Sequence, residues 1–268
     1  MIKQAKRGRP AKKQNLPGVK VTKFTPELVK MDDLSFNEDL FIPMKTGKKI
    51  DALLSSEGGL MKGTNFAFIG DPGVGKTTVM LDILADLQSK GQKVLFVSGE
   101  MNQIDMHGYV KRFPKFGQVP ILFLGDYIEK DPVVILKSVL SEGYDAVLID
   151  SMAEVCTNIV DFHGGTNKSA ESKVLNLMEV HNKAKNRSNK NTTFLIIQQV
   201  TKAGTFAGSN RFKHMLTGMC AMRFVDNGRS LSFSKNRRGG QMDQLFFSLD
   251  QKNNVGWLHT EAMNSPMQ

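Results

Sequence analysis

One run of residues has the types and the spacing that bind phosphate groups. It reads GDPGVGKTT, from Gly70 to Thr78, and matches the pattern G-x-x-x-x-G-K-[ST]. Glycines let successive backbone N–H groups point at one anion, and the N-terminus of the following helix adds partial positive charge. Lys76 would contact the β- and γ-phosphates of a nucleotide, and the Thr77 hydroxyl would bind Mg²⁺. A chance glycine turn is the alternative, which the flanking apolar run and helical pattern disfavour. The predicted nucleotide-binding residues here are Gly70, Asp71, Pro72, Gly73, Val74, Gly75, Lys76, Thr77 and Thr78.

Three more polar residues follow apolar runs that read as buried parallel strands. Ligands bind beyond the carboxyl ends of such strands, so Glu100, Asp150 and Gln199 are predicted to lie beside the phosphate loop. Asp150 would hold Mg²⁺ mostly through water. Glu100 would orient or deprotonate the attacking water, and Gln199 would sense the γ-phosphate. The alternatives are a carboxylate at a helix start for Glu100 and a hydrogen-bonded strand-end amide for Gln199.

The elements that must position these residues can be read from the hydrophobic pattern. Five apolar runs alternate with amphipathic stretches, which predicts an α/β fold with a mostly parallel sheet covered by helices. After Met222 the pattern changes to period two, and Asn227-Gly228 predicts a hairpin, so the C-terminal strands should be antiparallel. The five runs are Phe66–Ile69, Val94–Val97, Ile121–Leu124, Ala146–Ile149 and Phe194–Ile197.

Charge and composition separate the chain into unlike parts. Residues 1–23 hold eight basic side chains and no acidic one, so of the net charge of +10 only +2 belongs to the rest. A basic tail suggests a polyanionic partner, with nucleic acid the first candidate. Arg7 and Arg9, in Arg-Gly-Arg-Pro, resemble an AT-hook for the minor groove of A·T-rich DNA. A solvated tail without sequence preference is the alternative. We expect a tail at 1–23, an N-terminal cap segment at 24–60 and an ATPase core at 61–268.

Hydropathy and cysteine content exclude several classes of protein. No apolar run is long enough to span a membrane, and no secretory signal is visible. The two cysteines, Cys156 and Cys220, form neither a zinc motif nor a disulfide framework. We therefore expect a cytoplasmic protein without a membrane partner.

Five segments read GDPGVGKTT, FVSGEM, VLIDS, QQVTKAGTFAGSNRFKHM and SKNRRGG. Together they resemble the ATPase core of RadA, the bacterial RecA-family recombination protein, and their order and spacing fit from about residue 45 to 250. The resemblance implies a protein of a bacterium or a phage-infected cell that is associated with the nucleoid. The resemblance implies a RecA-like P-loop NTPase with strand order 3-2-4-1-5, assembled as a ring or filament, with ATP and Mg²⁺ bound between subunits. Lys235 and Arg237 would reach a neighbour's γ-phosphate or DNA; the alternative is a solvated basic hairpin. Tyr109 stands where the family has an arginine near the adenine.

The resemblance also implies two loops that contact single-stranded DNA, residues 152–169 and 200–213. Glycines and scattered basic residues let such loops follow a phosphate backbone, and the predicted contacts in the second loop are Lys202, Arg211 and Lys213. Two departures stand out. Neither the zinc module nor the Lon-like domain of RadA is recognisable in this sequence, and Gln199 replaces the family's histidine.

The sequence thus predicts a DNA-stimulated ATPase that acts on single-stranded or branched DNA in recombination, repair or replication. Two alternatives remain open. One is the core of a hexameric replicative helicase of the DnaB type, which shares the strand-end Glu, Asp and Gln. The other is a DNA-binding scaffold that ATP switches and that hydrolyses ATP slowly.

Overall fold

The computed structural model describes residues 25–26, 28–34, 37–183, 190–200, 208–226, 228–250 and 254–258. The chain divides into two compact units, residues 1–36 and 37–268. In the first unit a 3-10 turn spans Met31–Asp33. The second unit holds the sheet, and Met44, Ile50 and Leu60 are buried in its core. The sequence-based divisions at residues 23 and 60 stay predictions.

Strands and helices alternate through most of the second unit. The described strands are β1 (Asn65–Gly70), β2 (Val94–Ser98), β3 (Ile121–Phe123), β4 (Ala146–Asp150), β5 (Thr193–Gln198), β6 (Gly218–Val225), β7 (Gly228–Asn236), β8 (Gln244–Asp250) and β9 (Asn254–Leu258). The described α-helices are α1 (Ile50–Leu54), α2 (Lys76–Ser89), α3 (Gln103–Arg112), α4 (Pro132–Leu140), α5 (Met152–His163), α6 (Asn167–Lys183) and α7 (Asn210–Met215). Further 3-10 turns span Glu38–Phe41, Pro114–Gln118 and Leu124–Tyr127.

The strands form one sheet in the order β3-β2-β4-β5-β1-β6-β7-β8-β9. Pairing is parallel from β3 through β6 and antiparallel from β6 to β9. The predicted fold class, a mostly parallel sheet with C-terminal antiparallel strands, is therefore confirmed. β6 and β7 pair antiparallel up to Val225 and Gly228, as the predicted hairpin requires, and Asn227 itself lies outside the described residues.

The strand order 3-2-4-1-5 is wrong, because β5 lies between β4 and β1. Phe194 of β5 pairs with Val147 of β4 on one side and with Asn65 of β1 on the other. The second edge of β1 is occupied by β6, a parallel strand that the sequence analysis did not recognise. β6 contains the apolar run Met219–Met222, but its residues alternate between buried and half-buried and its last three are not buried, unlike the fully buried strand β4.

Helices cover both faces of the sheet, which explains why its central strands are apolar throughout. Alternate strand residues point to opposite faces. Phe66 and Phe68 pack with α1 and α2 on one face, whereas Ala67 packs in the core under α4, α5 and α6 on the other. Among the described residues, no helix is both long and apolar enough to cross a lipid bilayer.

The prediction that residues 152–169 form a loop is also wrong, because most of the segment is helical. Residues 152–163 form α5, and α6 begins at Asn167. Val155 and Ile159 are four residues apart on one face of α5 and are buried against the sheet. Ser151 caps this helix by accepting a hydrogen bond from the Glu154 N–H.

Candidate nucleotide-binding site

The glycine-rich run lies where β1 ends and α2 begins, and two of its three glycines are required by packing. Gly75 has φ of +96°, and a Cβ there would lie 2.4 Å from Cδ1 of Leu249. A Cβ on Gly70 would lie 2.3 Å from the carbonyl oxygen of Met222. The loop is therefore held between β6 and β8. Seven of its nine residues line one cleft; Val74 is instead buried in the core, and Asp71 is exposed.

The side chain of Lys76 lies back over the loop. Its Nζ donates to the carbonyl oxygens of Gly70 at 2.7 Å and Asp71 at 3.0 Å. Burial lowers the pKa of Lys76, and the negative charges of Asp150, Asp71 and Glu100 partly oppose that change. The ammonium group is thus placed at the mouth of the loop, among backbone groups that a bound triphosphate could replace as its partners.

Thr77 and Asp150 meet although β1 and β4 are not neighbours in the sheet. The Thr77 hydroxyl donates to Oδ2 of Asp150 at 2.5 Å. Burial raises the pKa of Asp150 to about 6, the Thr77 hydrogen bond and the Lys76 charge oppose this rise, and Glu100 adds to it. A hydroxyl and a carboxylate are oxygen ligands that suit Mg²⁺, which keeps several waters. Among the described residues no cluster of three or more His, Cys, Asp or Glu side chains could hold a metal alone. Because Thr77 and Asp150 offer two oxygen ligands, the pair fits a Mg²⁺ that takes its other ligands from water and phosphate.

Glu100 and Gln199 line the same cleft, which has a volume of about 530 Å³. Glu100 follows β2, where the Gly99 N–H donates to the Asp150 carbonyl oxygen at 2.8 Å and joins two strand ends. Gln199 follows β5, and β5 lies between the strand that leads into the phosphate loop and the strand that ends in Asp150. Both side chains are exposed in the cleft, so a water molecule can reach either of them.

The cleft is also lined by two aromatic residues and an arginine, Tyr109, Phe113 and Arg112, which together form its aromatic wall. Of these, the sequence analysis predicts Tyr109 and misses Arg112 and Phe113. The Arg112 guanidinium lies 4.9 Å from the centre of the Tyr109 ring and 5.8 Å from that of Phe113. The signal was available, because residues three apart on a helix share a face. Leu249, at the end of β8, was also missed, since only the completed sheet brings β8 to the loop.

Lys235 and Arg237 do not line this cleft. Because β6 is parallel to β1 and β7 is antiparallel to β6, β7 ends at the edge where β1 begins, opposite the phosphate loop. Lys235 Nζ donates to the carbonyl oxygen of Lys213 at 2.7 Å. An Arg237 Nη donates to that of His214 at 3.4 Å. Burial lowers the pKa of Lys235, and the Arg237 charge lowers it further.

The predicted DNA contacts are only partly described. Arg211 and Lys213 are exposed on α7, whose first turn is capped by Ser209. Lys213 therefore contributes its backbone to the Lys235 contact while its side chain is exposed. Lys202, Arg7 and Arg9 lie outside the described residues.

The fold resembles that of two archaeal proteins. A KaiC-like protein from Pyrococcus horikoshii superimposes with a TM-score of 0.57 at 16% identity, over 79% of this chain and 99% of that one. The flagellar accessory protein FlaH from Methanocaldococcus jannaschii gives 0.56 at 11% identity, over 76% and 92%. The sheet, the phosphate loop and the Thr77–Asp150 contact define a P-loop NTPase core of the RecA class.

Sequence relatives identify the family within that class. The DNA repair protein RadA of Campylobacter jejuni is 32% identical over 199 residues, which are 73% of this chain and 42% of that protein. RadA of Helicobacter pylori is 30% identical over 190 residues, 67% and 38% respectively. The chain has a RadA-type ATPase core of the RecA family. It spans less than half the length of these relatives, and no protein-family model matches it.

Proposed function

We propose that this protein is a DNA-stimulated ATPase that acts on single-stranded or branched DNA in recombination, repair or replication. The observation that carries the ATPase part is a single cleft lined by Lys76, Thr77, Asp150 and Glu100. Each comes from the loop or from the carboxyl end of a strand, where parallel α/β sheets bind ligands. The DNA part is supported by the RadA relatives, which are named DNA repair proteins.

The cleft residues divide the work of phosphoryl transfer to water. Lys76 and the backbone of the loop would hold the phosphates, and Thr77 and Asp150 would hold Mg²⁺, which would supply positive charge to the reacting phosphate groups. Glu100 orients or deprotonates the water for in-line attack. Gln199 contacts the γ-phosphate and relays its presence to the segment that follows β5.

Lys235 and Arg237 act on a neighbouring subunit in this proposal. They lie at the edge opposite their own phosphate loop, so their charges cannot serve their own cleft without a rearrangement of the sheet. In a ring or filament the same edge can face the next subunit's cleft. A cation supplied from a neighbour in this way accelerates phosphoryl transfer by roughly 10³-fold or more.

DNA would contact the basic residues outside the cleft. Arg211 and Lys213 are exposed on α7, and Lys202 precedes them in the sequence. Arg7 and Arg9 would add contacts to duplex DNA from the basic tail, with the salt dependence that phosphate contacts impose. The proposal includes a cytoplasmic location in association with the nucleoid.

ATP turnover with and without single-stranded DNA tests the proposal. We expect DNA to increase turnover of the wild-type protein. Glu100→Gln should keep ATP affinity near wild type but lower turnover by about 10²-fold or more, because the catalytic base is lost. Glu129→Gln is the matched control, since Glu129 is exposed and outside the cleft.

Three outcomes would contradict parts of the proposal. Unchanged turnover in Glu100→Gln would remove Glu100 from the mechanism. ATP and DNA binding without turnover in the wild type would favour the switched scaffold. Processive unwinding of a forked duplex by a hexamer would favour the replicative helicase.

A further inference from the structure

Two aspartates of α2 are held by two lysines from different parts of the chain. The Asp82 side chain is fully buried, and Asp86 lies one turn further along the same face. Lys48 Nζ lies 2.8 Å from Asp82 Oδ2 and 2.7 Å from Asp86 Oδ2. Lys115 is ion-paired with Asp82 and lies 3.2 Å from Asp86 Oδ1. Two positive and two negative charges therefore balance in a largely buried cluster.

The two carboxylates favour the charged form of Lys48. Burial opposes the charge on Lys48, but hydrogen bonds to Asp82 and Asp86 outweigh it and raise its pKa above the ordinary value. Breaking a pair of this kind leaves an uncompensated charge in the protein, which is much more costly than the loss of a surface pair. The two lysines are thus firmly fixed to α2.

The helix that holds this cluster is also the helix that begins with the phosphate-binding residues. Lys76 and Thr77 form its first turn, and Asp82 follows six residues after Lys76. The residues of α2 between Thr78 and Ala85 are all buried, so the helix is a fixed body in the core. A group bound to the Asp82 face is therefore held at a set distance from the phosphate loop.

Lys115 follows the segment that forms the aromatic wall of the cleft. It lies in the 3-10 turn that begins at Pro114, directly after Phe113, which lines the cleft with Arg112. The Phe113 ring packs on the buried Phe116 with centroids 5.1 Å apart. The same turn has a second tie to α2, because Gln88 Nε2 donates to the Gln118 carbonyl oxygen at 2.5 Å.

Lys48 differs from Lys115 in what it connects. It lies between Thr46 and α1, in a segment that does not line the cleft. The two lysines thus hold the same carboxylates, but only Lys115 links them to the aromatic wall. This difference provides an internal control.

We propose that Lys115 is a positioning residue: its ion pairs with α2 set the distance between the phosphate loop and the aromatic wall, where the base of a nucleoside triphosphate binds. The inference rests on the proposed nucleotide-binding function of the cleft. Loss of Lys115 should weaken recognition of the base and leave recognition of the phosphates intact.

Comparing ATP with inorganic tripolyphosphate separates the contribution of the phosphate loop to affinity from that of the aromatic wall, because tripolyphosphate has the phosphates and no base. Calorimetric titration with Mg²⁺ present would measure both ligands on wild type, Lys115→Met and Lys48→Met. We expect Lys115→Met to raise the Kd for ATP about tenfold, the size of one lost aromatic contact, with tripolyphosphate affinity unchanged. Lys48→Met should bind both ligands like the wild type. Denaturant unfolding should show similar stability losses for the two variants, since each removes one cation from the same carboxylates.

Two further variants keep the test decisive if Lys115→Met does not fold. Lys115→Arg keeps the charge and should keep ATP affinity near wild type. Gln88→Ala removes the second tie without leaving a buried charge unpaired, and it should weaken ATP binding but not tripolyphosphate binding.

The outcomes distinguish this inference from the proposed function. If the wild type binds neither ligand, the nucleotide-binding function fails and the inference fails with it. If the wild type binds both and Lys115→Met binds ATP equally well, only the positioning role is overturned. Equal losses for ATP and tripolyphosphate, or identical behaviour of Lys48→Met and Lys115→Met, would show that the cluster stabilises α2 and nothing more. Unchanged ATP affinity in Gln88→Ala would likewise overturn the role of the turn.

Discussion

Asp150→Asn should make the nucleotide-free protein more stable while removing its Mg²⁺-dependent binding of ATP. Asp150 is buried, with a relative exposure of 3%, and burial raises its pKa to about 6. Asparagine has nearly the same shape and can still accept the hydrogen bond from Thr77. It carries no charge, so it avoids the cost of burying an ionised group.

The magnitude follows from the pKa of Asp150 in the folded protein and its ordinary value. These are about 6 and 3.8, a difference of roughly two pH units, and each unit is worth about 1.4 kcal/mol. The folded protein binds more protons than the unfolded chain between these values, so wild-type stability falls as pH rises through this window. The variant should therefore be more stable by about 3 kcal/mol at pH 7 and by about half as much at pH 5.

Urea unfolding from pH 4.5 to 7.5, without nucleotide, measures this difference directly. Asp243→Asn is the matched control, because Asp243 is exposed and its variant should lack the gain in stability at pH 7. Added Mg²⁺ and ATP should stabilise the wild type through binding and leave Asp150→Asn unchanged. A variant less stable than the wild type at pH 7, or a difference that does not change with pH, would refute the reasoning.

Two other predictions concern the neighbouring subunit and the loop. Arg237→Ala and Lys76→Ala should each be nearly inactive, yet a mixture of the two should recover part of the turnover. In the mixture, subunits with an intact cleft meet subunits with an intact Arg237. A mixture as inactive as its components would place Arg237 in its own cleft or outside the mechanism. Gly75→Ala should lower the free energy of unfolding by about 2 kcal/mol or more, because its φ is positive and the added Cβ overpacks the site. Gly73→Ala, with φ of +79° and nothing within 4 Å of its Cβ, should lose only about 1 kcal/mol. Equal losses in thermal unfolding would contradict the packing argument.

Some features of the cleft could be predicted without the structure because they depend on local pattern. A glycine-rich run between an apolar strand and an amphipathic helix specifies its own turn. Parallel strands bring their carboxyl ends to one edge. The placement of Glu100, Asp150 and Gln199 around one cleft follows from these two rules, whatever the order of the strands.

Other features depended on pairings that no local pattern encodes. A buried strand has apolar residues on both faces, so β5 could be placed at the edge or in the centre, and the edge was wrong. The resemblance implies a loop at residues 152–169, although residues four apart in this segment supply a buried helical face. Asp82, a charged residue inside an apolar helix, gave no sign of its partners, which are 34 residues before it and 33 after it.

The sequence by itself determined the α/β class, the phosphate loop and the polar residues at the strand ends, because each rests on the spacing of neighbouring residues. Only the tertiary structure decided that β5 lies between β1 and β4, that Arg112 and Leu249 reach the cleft, and that Lys235 and Arg237 lie at the opposite edge. Those outcomes come from long-range hydrogen bonding and packing, and such contacts are chosen by the free energy of the whole sheet rather than by any one segment.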